Sequence, residues 1–360
     1  MKKCSICGSD IHNLLDLGPQ PICSRYLKTP KDPEYLHPLV IGQCKGCGVI
    51  QLVEPIPPKE LKPVYDWIVY NEPEGHLDHL ADVILGLPGI KKASSVAGTS
   101  YKDESLLNRL SRKGMTIVKA GEKGDVVIAR HIVEHMPDPI PFINELKKRI
   151  LPGGYLVLEA PDFTPSMKKL DYSTIWEEHL FYFTPLTFSK LIDQSGMSLQ
   201  HYGSTPYMLE NAMVVIGAMG GMKAGKNTEQ EGGMVEYVKQ FSSRKRSLND
   251  TMAEFRKNTG RIAVFGSGHL ACAFVNIFGL KKYIDLFVDD NANKQGLFMP
   301  GSHLPIFGSS ALIDKGIKLA LLSVSMESEG KVIKNNGGFT GKGGSFASIF
   351  PASSIALKAK

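Results

Sequence analysis

The 360-residue chain lacks any apolar run approaching the roughly 18 residues that a membrane-crossing helix needs, so no membrane partner is expected. It also lacks a basic stripe interleaved with aromatics. The formal net charge of +6 is spread along the chain, which argues against nucleic acid and suits an anionic small molecule. No signal peptide precedes Met1-Lys2-Lys3, so a cytoplasmic protein with reduced thiols is expected. Cysteine is sparse, with six residues in all.

Four of those cysteines fall into two pairs, Cys4-Ser5-Ile6-Cys7 and Cys44-Lys45-Gly46-Cys47, while Cys23 and Cys272 stand alone. A CxxC turn points two thiolates at one centre. Two such turns complete the tetrahedral sulfur shell that zinc prefers, with no position left for a substrate. Gly8 and Gly48 follow the turns and relieve crowding where the chain doubles back. The competing reading, two disulfides, conflicts with a reducing compartment. A structural zinc site on Cys4, Cys7, Cys44 and Cys47 is therefore expected.

The length exceeds what one core supports, and 42% hydrophobic content lets each of several domains bury its own. Residues 1–70 form a proline-rich zinc module that ends in Tyr65-Asp66-Trp67. Residues 75–218 alternate strands and helices, which predicts a mainly parallel sheet. Its strands are expected at 95–98, 115–119, 125–129 and 155–159. Helices are expected at 104–113 and 139–150, the second stopped by Pro152-Gly153-Gly154.

Residues 219–258 read as a glycine-rich linker and one long helix, with Val235, Val238, Phe241, Leu248, Met252 and Phe255 as its apolar stripe and a basic outer face at Arg244, Lys245 and Arg246. Residues 259–360 form a second, Rossmann-like α/β unit. There Gly266-Ser267-Gly268-His269-Leu270-Ala271 matches the GxGxxG/A turn, with Asp289 or Asp290 about 20 residues later. Such a turn brings a diphosphate to the amides of a helix N-terminus, as NAD-binding folds do. A strand-to-helix turn that binds nothing is the alternative.

His131-Ile132-Val133-Glu134-His135 matches the HxxEH pattern of some zinc peptidases. Those ligands require a continuous helix, whereas here a strand ends at Ala129 and Pro137 and Pro139 follow, so a loop without catalytic zinc is expected. His76 and His79, three apart on a predicted helix, read as surface residues rather than ligands.

Four segments in order resemble the SAM-dependent sugar C-methyltransferases that act on nucleotide-linked keto-deoxy sugars. They are Cys4-Ser5-Ile6-Cys7-Gly8 with Leu15-Asp16-Leu17-Gly18-Pro19; Cys44-Lys45-Gly46-Cys47-Gly48 with Gln51-Leu52; Trp176-Glu177-Glu178-His179 with Phe181-Tyr182-Phe183; and Val288-Asp289-Asp290 with Asn293-Lys294-Gln295-Gly296 and Pro300-Gly301. The resemblance implies a zinc-binding domain, a central class I methyltransferase-like (Rossmann-like) domain and a C-terminal Rossmann-like domain, with the active site in the cleft between them. It implies C-methylation of a nucleotide-diphosphate keto-deoxy sugar, by proton abstraction next to the ketone and methyl transfer from SAM.

His179 is then the base, since imidazole titrates closest to neutrality, and Glu178 contacts substrate or tunes it. Arg130 and His131 border the cofactor. Tyr65, Trp176, Gly266, Gly268, Asp289 and Lys294 are the implied substrate-binding residues.

The chain departs from the family at three places. Trp176 stands where tyrosine is usual, and Cys272 where lysine is usual. The cofactor loop reads Gly98-Thr99-Ser100-Tyr101-Lys102-Asp103-Glu104, with Gly98 the surviving glycine and Asp103 the acidic residue in reach. Between Gly98 and Asp125 there is room for about one strand-helix-strand unit of roughly 30 residues, where the family fits a further strand and helix. Glu122 is the remaining candidate for the ribose.

Two alternatives to SAM-dependent methylation therefore stay open. One is a relative that no longer uses SAM, with an epimerase-like or NAD-dependent activity; the other is a non-catalytic sugar-nucleotide-binding protein.

Overall fold

The computed structural model describes residues 2–68, 74–119, 121–220 and 233–358. The predicted glycine-rich linker lies largely outside them. In the N-terminal lobe, β1 (Ile11–Pro21) pairs antiparallel with β2 (Leu36–Cys44), which pairs with β3 (Ile50–Leu52). Alternation buries Ile11, Leu15 and Leu17 of β1 against Ile41 and Leu52.

The central domain opens with β4 (Ser95–Ala97), β5 (Thr116–Ile117), β6 (Gly124–Arg130) and β7 (Ile150–Asp162), parallel and ordered β5-β4-β6-β7. Val126, Val127, Ile128 and Ala129 are all fully buried, the continuous apolar pattern of a strand covered on both faces. Helices Leu77–Leu85 and Glu104–Arg112 cover one face, through Leu77, Leu80, Ile84, Leu106 and Leu110.

Two expected boundaries are corrected. The strand predicted at 115–119 shrinks to two exposed residues at the sheet edge, with nothing beyond it among the described residues. The helix predicted to 150 ends at Lys147, and β7 begins before Pro152-Gly153-Gly154 rather than after it. Gly154 permits this, because a Cβ there would stand 2.3 Å from the Asp125 carbonyl oxygen on β6.

After β7 the chain returns to the zinc lobe, where β8 (Phe181–Tyr182) pairs with β3, Ile50 opposite Tyr182. β9 (Ser198–Thr205) and β10 (Asn211–Ala218) then complete the central sheet in the order β7-β10-β9, antiparallel. The short β8 hangs the loop 173–180 between two domains.

Helix Gly233–Asn258 buries Met234, Tyr237, Phe241, Leu248 and Met252, but Val235, expected on that stripe, is 57% exposed. The hydroxyl of Tyr172 donates to the Tyr237 carbonyl at 2.6 Å, and Tyr237 returns a bond to the Asp171 carbonyl at 2.9 Å. The C-terminal sheet, β11 (Arg261–Phe265), β12 (Ile284–Val288), β13 (Ile306–Phe307), β14 (Ile317–Leu322) and β15 (Ser345–Ser348), is wholly parallel in the order β13-β12-β11-β14-β15. Reciprocal backbone bonds between Leu27 and Phe298, 3.0 and 2.8 Å, join it to the zinc lobe. Among the described residues no helix is long and apolar enough to cross a membrane.

Candidate active site

The four paired cysteines converge, with ligand atoms within 4.8 Å of one another. Cys4 and Cys47 sulfurs lie 3.8 Å apart, and those of Cys7 and Cys44 3.3 Å. A tetrahedron built on zinc–thiolate bonds of about 2.3 Å has edges of roughly 3.8 Å, so the donor set fits zinc. The amides of Gly46 and Cys47 point at Cys44 Sγ at 3.3 and 3.5 Å, the outer contacts that a bound thiolate needs. Gly8 and Gly48 adopt φ of +76° and +81°. The two lone cysteines meet each other, and the Cys272 thiol together with burial pushes Cys23 well above the ordinary thiol range.

A cavity of about 790 Å³ opens between the three parts of the chain. Its floor is the C-terminal edge of the central sheet. There β6 ends at Arg130, His131 takes a left-handed φ of +48°, and a single turn, Val133–His135, follows. This turn is clasped by the loop before β8, since the Leu180 amide donates to the Glu134 carbonyl at 2.8 Å and the His179 amide to the Trp176 carbonyl at 3.0 Å. Trp176, Glu178 and His179 thereby face the cavity together with Glu134 and His135. Ring centroids of His135 and His179 lie 4.8 Å apart, and Trp176 stacks on His269 of the C-terminal domain at 4.4 Å.

Burial, reinforced by the neighbouring Glu177 carboxylate, pushes the Glu178 carboxyl up to about 7. Burial, reinforced by His135 and His269, holds His179 well below the usual imidazole range, and so neutral. Glu177 does not reach the cavity. It is 2% exposed and accepts the Cys23 amide.

The residues expected at the cofactor are mostly committed to internal contacts. Asp103 accepts from the amides of Thr99, Ser100 and Arg130 and from the Thr99 hydroxyl, at 2.6–3.0 Å. A Cβ on Gly98 would stand 2.9 Å from Leu107, so this glycine admits helix 104–112 rather than a ligand. Glu122 caps its own turn at the Lys119 amide, 3.0 Å. Arg130 is buried, paired with Glu159 at 2.6 Å and bonded to the Lys102 carbonyl at 2.7 Å.

His131 Nε2 bonds the same carboxylate at 2.8 Å, and His76 Nε2 lies 3.2 Å from the same oxygen without hydrogen-bond geometry. Burial alone would raise Glu159, but His131, His76 and Arg130 hold it well below the carboxylate range. His76, expected on the surface, is thus buried, with Tyr207 as its other partner at 2.9 Å, while His79 is exposed. Of the five residues, His131 alone lines the cavity, beside Ser100, Tyr101 and Lys102.

Of the implied substrate residues, Trp176 lines the cavity and the others are not among its lining residues. The Tyr65 hydroxyl donates to the Tyr26 carbonyl at 2.9 Å, in a cluster with Trp67. Asp289 holds the Ser267 amide, the Ser267 hydroxyl and Lys294 at 2.8–2.9 Å. Gly266, at φ +95°, lies against the Ser323 carbonyl, and Gly268 precedes helix His269–Phe278, whose first residues do reach the cavity. Ser24, Tyr207, Ser325 and Glu327 also line it without any motif to mark them; His135 had the HxxEH run.

Comparison with known proteins matches the chain in three consecutive stretches. Residues 4–61 match a family described as a zinc binding domain, 51–202 a methyltransferase domain, and 201–351 a C-methyltransferase C-terminal domain. C-methyltransferase NovU of Streptomyces niveus is 22% identical over 358 residues, covering 85% of each chain. Among solved structures, an O-methyltransferase family protein from Burkholderia thailandensis aligns at TM-score 0.30 and 13% identity over 41% of this chain, which spans just 56% of that protein. The 1,6-didemethyltoxoflavin-N1-methyltransferase of the same organism, with bound S-adenosylhomocysteine, aligns at 0.30 and 10% identity over 40% of this chain and 78% of its own. The three domain matches follow one another from residue 4 to residue 351, and with the NovU relative they make the chain similar to C-methyltransferases in each of its three parts.

Proposed function

We propose that the protein is a cytoplasmic SAM-dependent enzyme that methylates the carbon next to the ketone of a nucleotide-diphosphate keto-deoxy sugar. The observation that carries this reading is one continuous cavity of about 790 Å³ that runs from the loop after β4, past Glu178 and His179, to the helix starts at His269 and Ser325. Such a volume suits small-molecule ligands, which fill clefts of roughly 300–1,000 Å³.

Glu178, in place of the His179 expected from the resemblance, takes the proton next to the ketone in this reading, because its carboxyl is enclosed and poised near neutrality by burial and by Glu177, whereas burial holds His179 low. His179 stands beside it as a neutral imidazole, and Trp176 with His269 closes the wall against water. SAM supplies an electrophilic methyl group when bound. Ser100, Lys102 and His131 are the groups placed to hold it, since Gly98, Asp103, Glu122 and Arg130 are occupied elsewhere. The four-cysteine zinc is structural, its four thiolates leaving no open position. Asp289, spent on Ser267 and Lys294, speaks against NAD.

The packed Gly98–Asp103 loop favours a second reading, in which the same base epimerises a sugar nucleotide without SAM. Calorimetric titration with SAM, with and without a nucleotide-diphosphate sugar, separates the two. SAM binding supports methylation; no SAM binding, with solvent deuterium entering the carbon next to the ketone, supports epimerisation. Absence of both leaves a sugar-nucleotide-binding protein.

A further inference from the structure

The HxxEH run does carry metal-ligand chemistry, in a combination that its spacing does not announce. Glu134, His135 and His179 each present one ligating atom, and the three atoms lie within 4.8 Å of one another. His131, the first residue of the run, bonds Glu159 through Nε2 at 2.8 Å and keeps Nδ1 3.7 Å from Glu134 Oε1, outside the group of three. Its place is taken by His179, delivered from the loop before β8.

Two details point to a bound cation. His135 Nδ1 lies 2.9 Å from the Glu178 carbonyl oxygen. A carbonyl only accepts, so Nδ1 carries the proton and Nε2 keeps its lone pair. Metal-binding histidines are held this way, by a bond from the other ring nitrogen to a backbone carbonyl or carboxylate. Glu134 is 1% exposed, and its Oε2 has no hydrogen-bond partner among the described residues. An unsatisfied buried carboxylate oxygen is costly, and a cation removes the cost.

We propose that Glu134, His135 and His179 bind one divalent first-row transition-metal ion at the cavity wall, distinct from the four-cysteine zinc. Two imidazoles and a carboxylate suit such an ion and disfavour calcium or magnesium, which take oxygen ligands. With metal–ligand bonds of about 2.0–2.2 Å, neighbouring donors sit roughly 3.0–3.5 Å apart, so the side chains close by about 1 Å on binding. All three residues line the cavity, which leaves coordination positions open to a ligand's oxygen. His179 bound to the ion has no lone pair left for a proton, and Glu178 remains the base.

The test needs no substrate, so it stands apart from the methylation reading. Full-length protein with its zinc in place is titrated with Mn²⁺ alone, followed by the electron paramagnetic resonance of the free ion, and zinc is assayed in parallel. The expected result is one Mn²⁺ site per chain, weakened about tenfold or more in Glu134→Gln and in His135→Ala, with zinc content unchanged. Should His135→Ala fail to fold, Glu134→Gln with an unaltered melting temperature decides. Wild-type protein that takes up neither Mn²⁺ nor Co²⁺ at millimolar concentration, or variants that bind as wild type does, would overturn the site.

Discussion

The Cys23 amide donates to Glu177 Oε1 at 2.6 Å, joining residues 154 positions apart. This bond ties the zinc lobe to the turn that presents Glu178 and His179, and Ser24 Oγ lies 3.5 Å from Glu178 beside it. Glu177→Ala leaves a buried amide unpaired and should cost about 1–3 kcal/mol. Glu177→Gln keeps an acceptor and should cost less. Urea denaturation of the two variants checks the order, and equal losses would deny the bond its role.

Removing zinc should reach the cavity. The cysteines close on β2 and β3, and β3 pairs with β8, Gln51 opposite Phe181, three residues from Glu178. Cys44→Ser, or chelation, should release about one zinc per chain and unfold the lobe, since structural zinc energy is folding energy. Hydrogen exchange should then rise at 36–52 and at 176–183 together. Protection retained at 176–183 would separate the site from the metal.

The sequence made the three-part α/β plan and the four-cysteine set legible, because periodicity and CxxC spacing are local signals. It misplaced what depends on packing. His76 looked like a surface residue because its partners, Glu159 and Tyr207, are far away in sequence. Asp103 and Arg130 carried the charges a cofactor site needs, but the fold turns them onto the loop amides and Glu159. Glu178 and His179 were named from resemblance. The opposite shifts of the two side chains, Glu178 upward and His179 downward, are not readable from the motif, since they arise from burial and from Glu177, His135 and His269 nearby.

Asp285 couples the long helix to the C-terminal sheet. Burial alone would raise its carboxyl, but Arg256 above all, then the Ile262 amide and Arg261, hold it below the usual range. A depressed folded-state pKa contributes stability that is present above the unfolded value, about 3.9, and is lost as pH falls through the folded value. Asp285→Asn should therefore destabilise the protein at neutral pH and leave it less sensitive to pH below about 4. Thermal denaturation between neutral and acid pH measures this; parallel curves for wild type and variant would contradict it.

Glu178 and His179 can be told apart by proton exchange. With a keto-sugar nucleotide in deuterated water, Glu178→Gln should slow exchange next to the ketone by about 10²–10⁴-fold, the usual contribution of a positioned base. Glutamine keeps the shape and the Ser24 contact, so binding should change little. His179→Gln should slow exchange less, because that imidazole shapes the wall and shares it with His135. Full exchange in Glu178→Gln together with none in His179→Gln would assign the proton to His179. It would also leave that imidazole free of metal during turnover, so this one pair of variants tests the division of labour between the two side chains as well as the identity of the base.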